Sequence, residues 1–160
     1  MVINNALILI IEDEPEIAEI IGTYLSREGF RVITAGDGTV GLAHHLRLRP
    51  DLVILDIKLP GRDGYEVLAA IRRRGDTPVI MVTALAEDLD KLQALRIGAD
   101  DYVVKPFNPL EIAARAKAVL RRTLGRGSEK MLRVGSLTID PQAYRAEVES
   151  AAGPVMVDLT

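Results

Sequence analysis

Five short apolar runs, separated by stretches of helical periodicity, constrain the fold of this 160-residue chain more than any other feature. The runs stand too far apart for hairpins, and the residues between them place apolar side chains at helical spacing. Parallel strands need such crossover connections. The alternation therefore predicts a doubly wound α/β domain, with a five-stranded parallel sheet between two layers of helices. We expect the strands at residues 7–11, 31–35, 52–55, 79–82 and 102–104.

Five helices are expected to connect and follow these strands. The first carries an apolar stripe from Ile17 to Leu25, with Pro15 near its first turn and Gly29 just past its end. The last begins at Asn108, a candidate N-cap residue, and closes the domain near residue 122. We expect the three remaining helices at about residues 38–48, 64–74 and 87–97.

The character of the sequence changes after residue 122. Residues 123–131 are polar and contain two glycines, which is typical of a linker. Residues 132–160 show short strand-like pieces and no helical pattern, so we predict a short antiparallel β segment that is too small to be stable alone. The predicted organisation is thus one domain at 1–122, a linker at 123–131 and the start of a second domain at 132–160.

Composition excludes several classes of function. The net charge is −3, so the overall balance does not draw the chain to nucleic acid or to anionic membranes. The apolar run at residues 6–11 is far shorter than the roughly 20 residues of a membrane span. The absence of cysteine excludes disulfides and cysteine-bound metals. We therefore expect a cytoplasmic protein with no membrane segment.

Four of the five runs end in ionisable or hydroxyl side chains. Glu12 and Asp13 follow the first run, Asp56 the third, Thr83 the fourth and Lys105 the fifth. In an open α/β sheet, ligands bind beyond the carboxyl ends of the strands, where neighbouring connections diverge. These five side chains are therefore expected to converge on one edge of the sheet.

A cluster of carboxylates at this edge favours a cation, because two of them about 4 Å apart repel by roughly 4 kcal/mol at an effective dielectric constant of 20. Oxygen ligands without histidine or cysteine nearby indicate Mg²⁺ or Mn²⁺. Such an ion favours a site that binds a phosphoryl group. Asp56 would then be the nucleophile, and Thr83 and Lys105 would bind the phosphoryl oxygens. Taken alone, Asp56 is more simply a turn residue.

Two further polar groups have ordinary interpretations. His44 and His45 are adjacent, so on a helix they point to different faces and make a poor metal pair. We expect both histidines at the surface. The run Arg72, Arg73 and Arg74 suits a helix C-terminus and is expected to face water.

Four motifs closely resemble those of the receiver domains of bacterial two-component response regulators. They are IIEDE, VILDIKLPGRDG, VIMVTA and GADDYVVKPF, in the order and spacing of that family over residues 6–122. The resemblance implies a flavodoxin-like strand order of 2-1-3-4-5 and makes Asp56 the phosphoacceptor. It also implies that Glu12, Asp13 and Asp56, with the backbone carbonyl of Lys58, hold Mg²⁺.

The same resemblance assigns the residues that would sense the phosphate. Thr83 and Lys105 would bind it, and Tyr102 would be an aromatic switch that turns inward when Thr83 moves. The bond between Lys105 and Pro106 is expected to be cis, which an X-Pro bond tolerates at small cost. Lys58 lies two residues after the phosphoacceptor, at a position that varies among receivers and tunes the lifetime of the phosphoryl group. The resemblance therefore does not predict the dephosphorylation rate.

The end of the matched region resembles the OmpR/PhoB class, whose receiver is joined to a winged-helix DNA-binding domain. The resemblance implies a two-fold dimer after phosphorylation, formed by the last two helices and the fifth strand, with reciprocal charge pairs. Residues 132–160 would be the opening sheet of the winged-helix domain without its recognition helix, so this chain alone is not expected to bind specific DNA. The expected dimer pairs are Lys91 with Glu111, and Asp100 or Asp101 with Arg115 or Arg122.

The resulting hypothesis is a regulatory switch. A sensor histidine kinase phosphorylates Asp56, and the dimer controls transcription through DNA-binding domains. The chain is then not an enzyme, apart from slow self-phosphorylation and self-dephosphorylation. One alternative is a single-domain receiver that relays phosphate or docks a partner protein. Another is a Mg²⁺-dependent phosphatase, which Lys58 disfavours because such enzymes usually place a second acid at that position.

Overall fold

The computed structural model describes residues 5–84 and 97–136, with side chains up to residue 124. Five parallel strands form one sheet in the order β2-β1-β3-β4-β5. The strands are β1 (Leu7–Ile11), β2 (Arg31–Ala35), β3 (Leu52–Asp56), β4 (Val79–Thr83) and β5 (Asp101–Val104). The predicted fold class, strand order and strand positions are confirmed.

Four helices lie within the described residues. They are α1 (Pro15–Arg27), α2 (Gly38–Leu48), α3 (Gly64–Arg74) and α4 (Pro109–Ser136). The helix predicted at 87–97 falls outside the described residues except at its end. None of these four helices combines the length and apolarity that crossing a bilayer requires.

Burial on both faces explains why the central strands read as continuous apolar runs. Every residue of β3 and β4 is buried. Alternate residues such as Leu9, Val53 and Met81 share one core cluster with Val67 and Ile71 of α3. Burying a side chain of this size contributes about 1.5–3 kcal/mol, so the sheet is a rigid platform for the loops that follow its strands.

Helix α4 continues further than the sequence suggested. Its backbone is helical to Ser136, through the predicted linker at 123–131. The expectation of no helix after residue 131 is therefore wrong for residues 132–136. No proline lies between Pro109 and Pro141, and the charged residues of this stretch favour helix enough to offset its three glycines, which cost about 1 kcal/mol each. The domain assignment itself stays a prediction.

The described residues divide into two compact units. Those up to Val119 form one unit, and those from Leu120 to Ser136 belong to a second. Arg122 belongs to the second unit, and Lys91 lies outside the described residues. All other predicted site residues belong to the first unit.

Candidate functional site

Backbone hydrogen bonds carry the sheet one residue beyond the strands and so position the polar side chains. The Glu12 N–H donates to the carbonyl of Ala35 at 3.0 Å, which extends β1 along β2. The Ile57 N–H donates to Val82, and the Lys105 N–H donates to Thr83 at 2.6 Å. Each loop therefore leaves the carboxyl edge of the sheet from a fixed point.

The predicted acidic residues and the lysine meet at this edge. Nζ of Lys105 lies 3.4 Å from Oε1 of Glu12 and 3.4 Å from Oδ2 of Asp56. Carboxylate oxygens of Glu12, Asp13 and Asp56 lie within 4.8 Å of one another. Glu12 and Asp56 are buried, each with 4% of its surface exposed, whereas Asp13 is exposed. The predicted convergence of these four residues is confirmed.

The electrostatics of the cluster show an excess of negative charge. Burial, with the neighbouring charge of Asp56, raises the pKa of Glu12 to about 7. Burial alone would lower the pKa of Lys105, but the charges of Asp56 and Glu12 outweigh it and raise that pKa above its usual value. One ammonium thus faces three carboxylates, which leaves the site suited to a further cation.

The donor set fits a hard divalent cation. Three carboxylates, two buried and one open to solvent, offer only oxygen atoms. Mg²⁺ prefers such ligands and commonly keeps several waters, for which the exposed side of Asp13 leaves room. Oε2 of Glu12 also accepts a hydrogen bond from the Glu14 N–H at 3.2 Å, which orients its carboxylate. The acidic pocket that the cofactor prediction requires is present.

The N-terminus of α3 packs directly against the cluster, a contact that the sequence motifs did not predict. The Gly64 N–H donates to the carbonyl of Ile57 at 2.6 Å, and a Cβ added at Gly64 would collide with the backbone of Asp56 and lie 2.5 Å from Cα of Ile57. Asp63 caps the helix by accepting from the Glu66 N–H at 3.0 Å. An N-cap aspartate followed at once by glycine was the available sequence signal.

The loop between β3 and α3 places Lys58 beside this cluster. Its side chain is exposed and lines an open cleft with Asp13 and Asp63. Participation of its backbone carbonyl in metal binding stays a prediction.

The predicted phosphate-sensing residues lie on neighbouring strands. Thr83 ends β4 and is buried, and the preceding residue, Val82, is in register with Asp56. Tyr102 is half-buried in β5, pairs in register with Met81 and packs against the core cluster. The bond between Lys105 and Pro106 is cis, as predicted. The sensing and switching roles of these residues stay predictions.

The residues predicted for a dimer face form ion pairs within the chain. Nη1 of Arg115 donates to both carboxylate oxygens of Asp101, at 2.9 and 2.8 Å. Arg115 also pairs with Glu111 one turn earlier in α4, at 3.1 Å. Arg122 is exposed on α4, and Lys91 lies outside the described residues.

Asp100 has a different environment from Asp101. Its Oδ2 accepts from Nη2 of Arg72 at 3.0 Å and from the Val79 N–H at 2.8 Å. Arg72 also donates to the carbonyls of Gly98 and Thr77. The expectation that Arg72 faces water is therefore wrong. A role in a dimer stays a prediction for both Asp100 and Asp101.

His45 is also placed differently from the expectation. It is buried, with 6% of its surface exposed, although a surface position was predicted. Its Nε2 lies 3.0 Å from Oγ1 of Thr77, and its Nδ1 lies 3.2 Å from Nη1 of Arg74. These partners come 29 and 32 residues later in the chain, so sequence spacing within α2 gave no sign of them.

Comparisons with known proteins agree with this geometry. The family model for the response regulator receiver domain matches residues 8–117. The regulatory protein VanRc of Enterococcus gallinarum is 50% identical over 115 residues, covering 72% of this chain and 50% of that protein. The phosphate regulon transcriptional regulatory protein PhoB of Pseudomonas aeruginosa is 41% identical over 145 residues, covering 89% of this chain and 63% of that protein.

A solved structure shows the same likeness. The BeF3-activated receiver domain of Klebsiella pneumoniae RstA aligns with a TM-score of 0.69 and 34% identity, covering 72% of this chain and 98% of that one. The chain spans about half the length of the curated relatives it matches. The matched residues include the whole acidic cluster together with Thr83 and Lys105. The chain thus belongs to the response regulator receiver domain family, and its relatives include regulators of the OmpR/PhoB type.

Proposed function

We propose that this chain is the phosphorylation-controlled switch of a two-component system, in which a sensor histidine kinase donates a phosphoryl group to Asp56. The observation that carries this proposal is the position of the Lys105 amine, 3.4 Å from both Asp56 and Glu12, whose carboxylates cluster with that of Asp13. With the buried hydroxyl of Thr83, one edge of the sheet offers a nucleophile, a cation site and two donors for phosphoryl oxygens.

The chemistry follows from these groups. A carboxylate oxygen of Asp56 attacks phosphorus, and the bond from phosphorus to the histidine nitrogen of the kinase breaks, with its electron pair staying on that nitrogen. Lys105 donates hydrogen bonds to the transferred oxygens and offsets their charge. Thr83 supplies a neutral donor from the adjacent strand.

A divalent ion completes the proposed site. Glu12, Asp13 and Asp56, with the carbonyl of Lys58, would hold Mg²⁺ (or Mn²⁺), which supplies positive charge against the incoming phosphoryl oxygens. Since Asp56 belongs both to this ligand set and to the reaction, the nucleophile is held in place by its neighbours before the donor arrives. The low exposure of Asp56 and Glu12 strengthens these electrostatic interactions.

The proposed switch runs from Thr83 to Tyr102. Movement of the Thr83 hydroxyl toward a phosphoryl group on Asp56 would vacate space at the end of β4. The half-buried ring of Tyr102, on the neighbouring strand, would then turn inward. Phosphorylation would act by shifting the population of two pre-existing states.

We further propose that the shifted state forms a homodimer through β5 and α4. Asp101, Glu111 and Arg115 already form a charged network there, and we include Lys91 and Arg122 in the same face. Exposed ion pairs contribute at most about 1 kcal/mol each, so these residues would set the register of the dimer more than its affinity. DNA would be bound only through a winged-helix domain, and a kinase partner of this type implies a cytoplasmic protein.

The direct test is phosphoryl transfer from acetyl phosphate in the presence of Mg²⁺. Radiolabelled donor should label the native chain with a base-labile phosphoryl group, and the label should vanish in Asp56→Asn. Asp37→Asn is the matched control, because Asp37 caps α2 and is not one of the clustered carboxylates, and asparagine caps a helix equally well. Label retained in Asp56→Asn would remove Asp56 from its proposed role.

The dimer is tested separately with beryllium fluoride and Mg²⁺ as a stand-in for the phosphoryl group. Sedimentation should show a larger dimer fraction for the native chain than for Arg115→Ala. A native chain that stays monomeric while Asp56 is labelled would overturn the dimer proposal and leave the phosphoacceptor intact.

A further inference from the structure

A second cavity lies at the amino edge of the sheet, opposite the acidic cluster. It has a volume of about 390 Å³ and is bordered by the C-terminal ends of α2 and α3 and by the turn that leads into β4. This volume is in the range of small-molecule sites. Its polar lining consists of Arg49, Arg74, Thr77, His45 and Asp76.

Arg74 is held in a fixed position at this cavity. Its Nη1 donates to the carbonyl of Leu42 at 2.9 Å and lies 3.2 Å from Nδ1 of His45. Among the described residues, its Nη2 and Nε atoms make no hydrogen bond. One side of the guanidinium is thus anchored, and the other keeps donors for a ligand. A planar guanidinium with free donors is well suited to an oxyanion.

His45 connects this arginine to a hydroxyl group. Burial, with the positive charges of Arg74 and Arg72, lowers the pKa of His45 and keeps the imidazole neutral. Because Nδ1 then accepts from Arg74, the proton resides on Nε2, which donates to Oγ1 of Thr77 at 3.0 Å. The hydroxyl hydrogen of Thr77 remains available to donate. Thr77 lines the cavity, so it adds a neutral donor to the charged one.

Arg49 occupies a backbone position that normally favours glycine. It is the C-cap residue of α2 and adopts a left-handed conformation with φ of 49° and ψ of 65°. A non-glycine residue carries a conformational cost in this conformation. Among the described residues, the Arg49 side chain has no hydrogen-bond partner, although it lines the cavity.

We propose that this cavity binds the phosphate group of a small organic molecule. Arg49, Arg74 and the Thr77 hydroxyl would bind the oxygens, and two guanidinium groups against the single carboxylate of Asp76 make the side chains of the lining net positive. Leu46, with 65% of its surface exposed, and Pro50 border the same cavity and would contact the organic part. The ligand would join the end of α2 to the turn after α3.

The test is an NMR titration with glycerol 3-phosphate and with inorganic phosphate, at constant ionic strength and in EDTA so that no divalent ion occupies the acidic edge. Saturable shifts are expected at the amides of residues 75–77, with the monoester bound more tightly than the ion. Arg49→Gly should weaken binding about tenfold or more. Because glycine suits the left-handed backbone, this variant stays folded. Arg74→Ala should act likewise, and Asp76→Asn should strengthen binding.

Arg73→Ala is the matched control, since Arg73 is exposed on α3 and does not line the cavity. It should leave the affinity unchanged. Absence of saturable shifts, unchanged binding in Arg49→Gly, or equal weakening by Arg73→Ala would overturn the proposal. Equal affinities for inorganic phosphate and glycerol 3-phosphate would contradict the proposal that the organic part of the ligand contributes to binding.

Discussion

Nζ of Lys105 lies 3.4 Å from Oδ2 of Asp56, a residue 49 positions earlier in the chain. The same amine reaches Glu12 at an equal distance. Lys105 therefore offsets the charge of two buried carboxylates in the resting site, and it stands ready for phosphoryl oxygens on Asp56. This dual contact leads to the first prediction.

Lys105→Met should destabilise the chain by about 1–3 kcal/mol in EDTA, because it leaves Glu12 and Asp56 buried without a counter-charge. The side chain of Lys105 is 17% exposed, so solvent reduces the loss below that of a fully buried pair. Mg²⁺ should restore part of the stability by mass action. Urea unfolding measures both effects. Lys117→Met is the control. It removes an exposed ion pair with Glu28 and should lower the free energy of unfolding by at most about 1 kcal/mol.

Binding of Mg²⁺ should weaken as the pH falls through 7. The pKa of Glu12 is raised to about 7 without metal, so roughly a tenth of this carboxylate is ionised at pH 6 and nine tenths at pH 8. Calorimetric titration should therefore give an affinity about tenfold lower at pH 6 than at pH 8. Glu12→Gln should bind Mg²⁺ more weakly and lose this step. A native affinity that does not change between these pH values would contradict the assignment of Glu12 as a ligand.

The raised pKa of Glu12 also predicts a stability profile without metal. The folded-state pKa exceeds the unfolded value of about 4.5, so this group's favourable contribution is complete below pH 4.5 and is lost as the pH rises through 7. In EDTA, the stability of Glu12→Gln relative to the native chain should therefore be higher at pH 8 than at pH 5. Denaturant unfolding at the two pH values checks the sign, and a reversed difference would contradict it.

Gly64→Ala should disturb the phosphoacceptor from outside the cluster. The added methyl group would collide with the backbone of Asp56 and Ile57, so we expect a loss of about 1–3 kcal/mol and slower labelling of Asp56. Gly36→Ala meets no atom within 4 Å and should change stability by no more than about 0.5 kcal/mol. Thermal unfolding and labelling rates compare the two variants. Equal behaviour would show that the close approach of α3 is unimportant.

Arg72→Ala should cost about 2–4 kcal/mol, because it removes hydrogen bonds to the carbonyls of Thr77 and Gly98 and leaves Asp100 without its guanidinium. Arg73→Ala, on the exposed side of α3, should stay within about 0.5 kcal/mol. Urea unfolding of both variants tests this. A small effect of Arg72→Ala would mean that these contacts are not maintained in solution.

Sequence reasoning predicted those features that depend on local pattern and strand order. The strands and the edge that gathers Glu12, Asp13, Asp56 and Lys105 follow from apolar runs and from parallel connections. The predicted surface position of His45 failed, because its partners approach from a different helix and the following turn. Contacts of that kind depend on packing that spacing within one helix does not encode.

The arginine run on α3 and the end of α4 show two further limits. A basic run at a helix C-terminus is compatible with solvent exposure, and only the approach of Gly98 and Asp100 places Arg72 in a network. Glycines at 125 and 127 suggested a linker, yet neighbouring residues of high helix propensity keep the backbone helical to Ser136.

Mapping the phosphorylated residue shows directly whether Asp56 accepts the phosphoryl group. After incubation with acetyl phosphate and Mg²⁺, borohydride reduction converts a phosphoaspartate into homoserine, which peptide mass spectrometry locates in the chain. We expect homoserine at position 56 and nowhere else. Homoserine at position 13, or an unmodified chain under conditions in which calorimetry shows bound Mg²⁺, would contradict it.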